Sequence, residues 1–193
     1  MLRKITLGVL SLLVLGFVLS LFLPSTYEVE RRLVIAAPPA RIHGIVSDLH
    51  TWPDWTAWNE KRDRSLRFEY AGPERGKGAR MSWKGEQLGE GNLEILESDA
   101  ARGQRMKISF SGGAFTSLNE IEFREAGNGT EVLWRDRGEL GFNPVARFIA
   151  YSGKVEDWIG RDLEIGLMRL KELAEGGPSR NSGKGNGAGG SKK

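Results

Sequence analysis

The chain has 193 residues, enough for one domain with appendages, and shows no internal repeat. It has no cysteine, which excludes disulfides, thiolate chemistry and cysteine-ligated zinc. The net charge of +3 resides in the ends: Arg3 and Lys4 on one side and Arg180, Lys184, Lys192 and Lys193 on the other leave the stretch between them mildly acidic. A phosphate-tracking protein carries its basic patch on the folded part, so no nucleic-acid partner is expected.

From Ile5 to Leu23 no charged residue occurs, and Pro24 and Ser25 end the run. As a helix it would be roughly 28 Å long, close to the hydrocarbon thickness of a bilayer. A cleaved signal peptide is the competing reading, but its apolar core spans only about 7 to 15 residues and ends at a small-x-small site. The nearest such site, Val18-Leu19-Ser20, lies inside the run, so residues 1–23 read as an uncleaved membrane anchor. Arg3 and Lys4 then place the N-terminus in the cytoplasm and the remainder on the extracytoplasmic side.

Residues 24–175 read as one domain. Tyr27 to Ala36 is rich in Val, Leu and Ile and alternates, which predicts a strand. Pro38 and Pro39 suit the first turn of a helix, along which Ile42, Ile45, Val46 and Leu49 form an apolar stripe. Thr51 to Asn59 holds three tryptophans and predicts a further short helical piece. From residue 66 the period becomes two, as in Met81 and Trp83, Leu93 and Ile95, or Met106, Ile108 and Phe110. Asn119, Ile121 and Phe123 follow, then Val132, Trp134 and Asp136. Gly72-Pro73, Gly85, Gly112-Gly113 and Gly127-Asn128-Gly129 punctuate these runs as turns, which predicts an antiparallel meander with one apolar face. The last segment returns to helical spacing through Trp158, Ile159, Leu163, Leu167, Leu170 and Leu173. Phe142 to Tyr151 is read as a separate first portion of it. Residues 176–193 are rich in Gly, Ser and Lys and read as a disordered tail.

Several local motifs resemble those of the START-like (SRPBCC) superfamily, in particular its polyketide cyclase/dehydratase-like branch. They are Val34-Ile35-Ala36-Ala37-Pro38 with the Ile-rich helix and Ser47-Asp48, then Trp52-Pro53-Asp54-Trp55-Thr56-Ala57-Trp58 and Tyr70-Ala71-Gly72-Pro73. Gly76-Lys77-Gly78-Ala79-Arg80-Met81-Ser82-Trp83 and the terminal helix with Asp162-Leu163 and Leu170-Lys171 complete the set. The resemblance spans the domain but not the anchor or tail. It implies an α+β helix-grip fold, an antiparallel sheet wrapped around a long C-terminal helix, here preceded by one N-terminal transmembrane helix. Members include carriers of lipids and hydrophobic molecules as well as cyclases, so the fold alone does not settle the activity.

Trp52, Trp55 and Trp58 recur at a spacing of three, on one side of a short helix. They read either as an aromatic lid over a cavity mouth or as a plug closing the end of the domain. Period-two counting predicts an internal pocket lined by Trp83, Met106, Ile108, Phe110, Ile121, Phe123 and Trp134, with Asn119 and Asp136 as its polar groups. On the facing helix, Trp158, Leu163 and Leu167 are expected to point at the sheet, and Gly160 and Gly166 to leave room for a ligand. A buried Asp136 must line a wet cavity or meet a cation; the alternative is a strand end that exposes it.

His43 and His50 stand two helical turns apart, about 10 Å, too far to share a metal ion. The Gly72–Gly78 segment lacks the Ser or Thr and the following helix of a phosphate loop. No metal, no cofactor and no catalytic residue is assigned. The function expected is membrane-tethered binding of a hydrophobic small molecule or lipid. An enzyme of the cyclase/dehydratase kind using Asp136 or a tyrosine, and a protein-interaction module with a filled core, are the alternatives.

Overall fold

The computed structural model describes residues 2–113 and 115–176, so the tail expected over 176–193 lies, but for Gly176, outside the described residues. Helix α1 covers Leu2–Ser20, and its stretch Arg3–Ser20, with a mean hydropathy of 1.7, is long and apolar enough to cross a membrane. Its apolar side chains from Ile5 to Leu19 are exposed, and Ser20 at its end is buried. Leu21 to Leu23 continue as turns rather than helix, Leu21 donating to the Val18 carbonyl at 3.1 Å. The regular helix thus stops short of Leu23.

Strand β1 (Thr26–Ile35) leads into α2 (Pro39–Val46), with Pro39 in its first turn. A 3-10 turn (Leu49–Thr51) and the four-residue α3 (Trp52–Trp55) follow. The Asp48 side chain starts this segment by accepting the His50 amide at 2.9 Å, a helix-cap interaction. Six strands come next: β2 (Arg67–Ala71), β3 (Arg80–Gly85), β4 (Gly89–Asp99), β5 (Gly103–Phe110), β6 (Phe115–Ala126) and β7 (Gly129–Glu139). All neighbours are antiparallel, in the order β1-β7-β6-β5-β4-β3-β2. Only β1 leaves the meander order, crossing to pair with β7. Two helices close the domain, α4 (Pro144–Tyr151) and α5 (Lys154–Ala174), parted by Gly153 at φ 82°. Of the portion from Phe142 to Tyr151, Pro144–Tyr151 is therefore a separate helix, with Phe142 in the turn before it.

The two faces of the sheet differ as the period-two pattern requires. The outer face carries charge: Arg135 lies among Glu28, Glu30, Glu120 and Glu122 at 2.8–3.4 Å. The inner face carries the apolar set and packs on α5, which buries Leu163, Gly166, Leu167, Leu170 and Ala174. This is the helix-grip architecture. One expectation fails. Trp158 is 61% exposed and does not face the sheet. At 3.6 residues per turn it stands about 140° around the helix from Leu163, off the stripe that Ile159, Leu163, Leu170 and Ala174 follow.

Candidate functional site

The inner face of the sheet holds one continuous aromatic cluster. Trp52 and Trp55 of α3 meet edge to face at 5.0 Å, and both reach the Trp134 ring of β7, at 6.2 and 5.1 Å. Trp58, in the irregular segment after α3, lies 6.3 Å from Trp83 and 6.5 Å from Phe110, and those two rings are 5.5 Å apart. Trp52, Trp55, Trp83 and Trp134 are buried; Trp58 and Phe110 are half-buried and form the outer edge. The first pair of tryptophans therefore packs as a plug, and Trp58 stands at the rim. Met106, Ile108, Ile121, Phe123 and Leu163 complete the surrounding apolar cluster.

The space expected beside α5 is already occupied. A Cβ added at Gly166 would collide with Cζ3 of Trp134, so the indole rests directly on the helix backbone. A Cβ at Gly160 would fall among the guanidinium atoms of Arg31. Both glycines accommodate side chains of the protein itself, which corrects the expectation that they leave room for a ligand. The same device recurs in the sheet, where Gly91 receives the Trp83 ring and Gly138 the Tyr27 ring.

A chain of polar groups runs through this interior. Trp134 Nε1 donates to Asn119 Oδ1 at 3.0 Å. The indole can only donate, so the amide oxygen of Asn119 faces it and the amide nitrogen points the other way. That nitrogen donates to Asp136 Oδ2 at 3.1 Å and to Ser117 Oγ at 3.2 Å. Tyr27 Oη donates to Asp136 Oδ1 at 3.3 Å. Asp136 and Asn119 are both buried, as inward positions should be, and no ion pair to a cation reaches Asp136 among the described residues. Burial pushes the Asp136 carboxyl above the usual carboxylate range, against the pull of its Asn119, Tyr27 and Ser117 hydrogen bonds. Burial, and then the neighbouring carboxylate, likewise raise the Tyr27 hydroxyl.

Tyr27, Ser117 and Gly138 join the site without being singled out by the sequence. Period two does reach them: Tyr27 is two before Val29, Ser117 two before Asn119 and Gly138 two after Asp136. The pairing of Gly138 with both Tyr27 and Ser117 is a matter of strand order and could not be counted along one strand.

Three indole N–H groups in the cluster, those of Trp55, Trp58 and Trp83, are buried without an acceptor among the described residues. Buried donors normally have partners, and leaving one unpaired costs about 1–3 kcal/mol. The cluster thus combines apolar surface with unused donors and a carboxyl held toward its neutral form. The histidines lie elsewhere: His43 Nε2 is 2.8 Å from Ser98 Oγ, and His50 stacks on Tyr70 at 4.0 Å. An open groove of about 960 Å³ flanks α5 near Trp158, lined by cations and acids such as the Arg62–Asp162 pair at 2.6 Å.

Solved structures share this architecture. SA2116 of Staphylococcus aureus superposes with a TM-score of 0.58 at 15% identity, over 78% of this chain and 94% of that one. TTHA0849 of Thermus thermophilus gives 0.56 at 20% identity, over 77% and 97%. The Aha1 dimer of Colwellia psychrerythraea gives 0.52 at 13% identity, over 78% and 98%. At such identities these likenesses speak for the fold alone. No curated protein is a significant match. Residues 26–175, which run from the first strand to the end of α5, match the family described as polyketide cyclase/dehydrase and lipid transport. The chain, read from its strand order, its gripped helix and this match, belongs to the polyketide cyclase/dehydrase and lipid transport family.

Proposed function

We propose that the protein binds a hydrophobic small molecule or lipid in the interior of residues 24–175 while α1 tethers it to a membrane, with the N-terminus cytoplasmic and the domain on the other side. The observation that carries this reading is the set of three buried indole donors of Trp55, Trp58 and Trp83, without an acceptor among the described residues, beside an apolar cluster. A ligand with an apolar body and one or two oxygen acceptors satisfies both chemistries at once. Entry is expected at the Trp58–Phe110 rim, where the rings are half-buried and Trp58 lies outside regular structure. The family's description, which includes lipid transport, supports the same class of ligand.

Native mass spectrometry of the full chain extracted in detergent tests the proposal. One retained hydrophobic molecule per chain is expected. Trp83→Phe, which keeps an aromatic side chain but removes the indole donor, should weaken retention about tenfold or more if one hydrogen bond to the ligand is lost. A chain that stays empty, and whose tryptophan emission is unchanged by added lipids, would sink the reading.

A second reading has its own observation. Asp136 is a buried carboxyl of raised proton affinity, joined to a tyrosine hydroxyl, and such a pair can serve as acid and base in a cyclisation or dehydration. It calls for turnover that disappears in both Asp136→Asn and Tyr27→Phe.

A further inference from the structure

Helix α4 is not part of the gripped core. Asn143 caps its start, the side chain accepting the Ala146 amide at 3.0 Å, and Pro144 occupies the first turn. Its one buried side chain is Arg147. The Nη1 of Arg147 reaches the carbonyls of Ser20, Leu21 and Leu23 at 3.3, 3.2 and 3.3 Å, while its Nε donates to Gly141 at 2.7 Å. Those acceptors are the carbonyls at the C-terminal end of α1 and just beyond it, the end that lacks intrahelical donors and carries the negative pole of the helix dipole. A guanidinium at that place fixes α4 to the point where α1 stops.

The rest of α4 and its approach face outward. Phe142 is 80% exposed, Phe148 64% and Tyr151 70%; Val145 and, further along the chain on α5, Trp158 are exposed as well. Arg147 is the only charged residue between Gly141 and Gly153, and it is turned inward. Charge resumes at Lys154, Glu156 and Asp157 on α5. A run of large apolar and aromatic groups without charge is costly against water and marks an interaction surface. Its composition, with Tyr and Trp at one border, is that of segments lying at a membrane–water interface.

Resting on the reading that α1 spans a membrane, we propose that α4, with Phe142 before it and Trp158 after it, is an interfacial helix laid on that bilayer. Its partner is the lipid surface at the headgroup–acyl boundary. The end of α1 and the start of α4 are clasped by Arg147, so where α1 emerges α4 must lie within one side-chain length. The consequence is orientation. The start of β1, the ends of β5 and β7 and the start of β6 share one end of the sheet, since Phe110 pairs with Phe115 and Gly138 with both Tyr27 and Ser117. That end is the one from which α4 departs. The Phe110 rim is held toward the bilayer, and a second contact beside the anchor stops the domain from turning freely about α1.

The cysteine-free chain permits a direct test. Phe148→Cys and Tyr151→Cys, each labelled with an environment-sensitive fluorophore, are placed in vesicles of phosphatidylcholine and phosphatidylglycerol as full chains. Lipids carrying a nitroxide near the headgroup should roughly halve emission at both positions. They should leave Lys107→Cys, on the charged outer face, unchanged, while Leu12→Cys should be quenched by a nitroxide deep in the acyl chain. If positions 148 and 151 remain as open to aqueous iodide as position 107 while position 12 is quenched, the interfacial helix is refuted and the anchor stands. If position 12 is unquenched as well, both fail together. Shielding from lipid and iodide alike, with self-quenching between labelled copies, would assign the face to a second copy and overturn the proposal.

Discussion

Asp136 couples the interior to pH. Its carboxyl is raised in the folded chain and ordinary in the unfolded one, so folding binds a proton. The stability linked to it is fully present below the ordinary carboxylate value and is lost as pH rises through the folded value. Unfolding titrations of the full chain in detergent should show this decline on the alkaline side of the carboxylate range, and Asp136→Asn should flatten it. Asp63 works in the opposite sense. It accepts from the Ser65, Gln87 and Leu88 amides and the Ser65 hydroxyl at 2.6–3.0 Å, and these bonds hold its carboxyl down to about 2. Its contribution is present above the ordinary carboxylate value and lost as pH falls toward the folded one, so Asp63→Ala should blunt the acid limb of the same titration. The helix glycines offer a second contrast. Gly166→Ala drives a methyl into the buried Trp134 ring and should lower stability by about 1–3 kcal/mol, overriding a helix-propensity gain of about 1 kcal/mol. Gly160→Ala meets the far end of the flexible Arg31 side chain, which can swing away, so it should be neutral or mildly stabilising in the same thermal melt.

Helix α5 is held by one stripe and by bonds at its flanks. Arg31 of β1 reaches Glu156 at 2.7 Å and Glu164 at 2.6 Å, Arg169 donates to the Thr56 carbonyl at 2.6 Å, and Lys171 donates to the Val34 carbonyl at 3.0 Å. The ion pairs are partly exposed and contribute little each. The stripe carries the grip: Leu163→Ala should cost about 2–5 kcal/mol in denaturant titration, while Trp158→Ala should stay within about 0.5 kcal/mol. Equal losses at the two positions would mean that the helix is rotated from its described setting. Helix α4 depends instead on Arg147. Arg147→Met removes the donor to the α1 carbonyls and should broaden the distance distribution between spin labels on α1 and α4, with the melting of the sheet domain little changed.

At the scale of the whole molecule, a wet sheet face, a dry one and a helix laid across the dry one leave a core whose shape is set by rings resting on glycines. Trp134 on Gly166, Trp83 on Gly91 and Tyr27 on Gly138 are three such contacts. A ligand bound in that core, as proposed above, would meet rings seated on backbone at these three places. Binding should therefore change the emission of the tryptophan cluster strongly, and Phe110→Ala at the rim should speed both uptake and release of a fluorescent fatty acid, measured by stopped flow.

The amphipathic order was legible along the chain. Period two from Met81 to Asp136 and the apolar stripe of α5 follow from local geometry, because each alternation reports which side of one element meets the dry face. The same counting puts Asn119, Asp136 and the aromatic side chains of the strands on the inner side, where they are buried or half-buried. It could not say how these side chains fill the volume between elements. Trp158 reads as inward because an aromatic near a stripe resembles a member of it, yet its angle about the axis puts it outside. Gly166 reads equally well as empty space and as the seat of a ring, since a missing side chain specifies nothing about its neighbour. Joining Tyr27 to Asp136 required β1 to cross over and pair with β7, and bringing Arg147 to the end of α1 required segments more than a hundred residues apart to meet. Period and composition act within an element, whereas packing and long-range pairing depend on the positions of all the elements together.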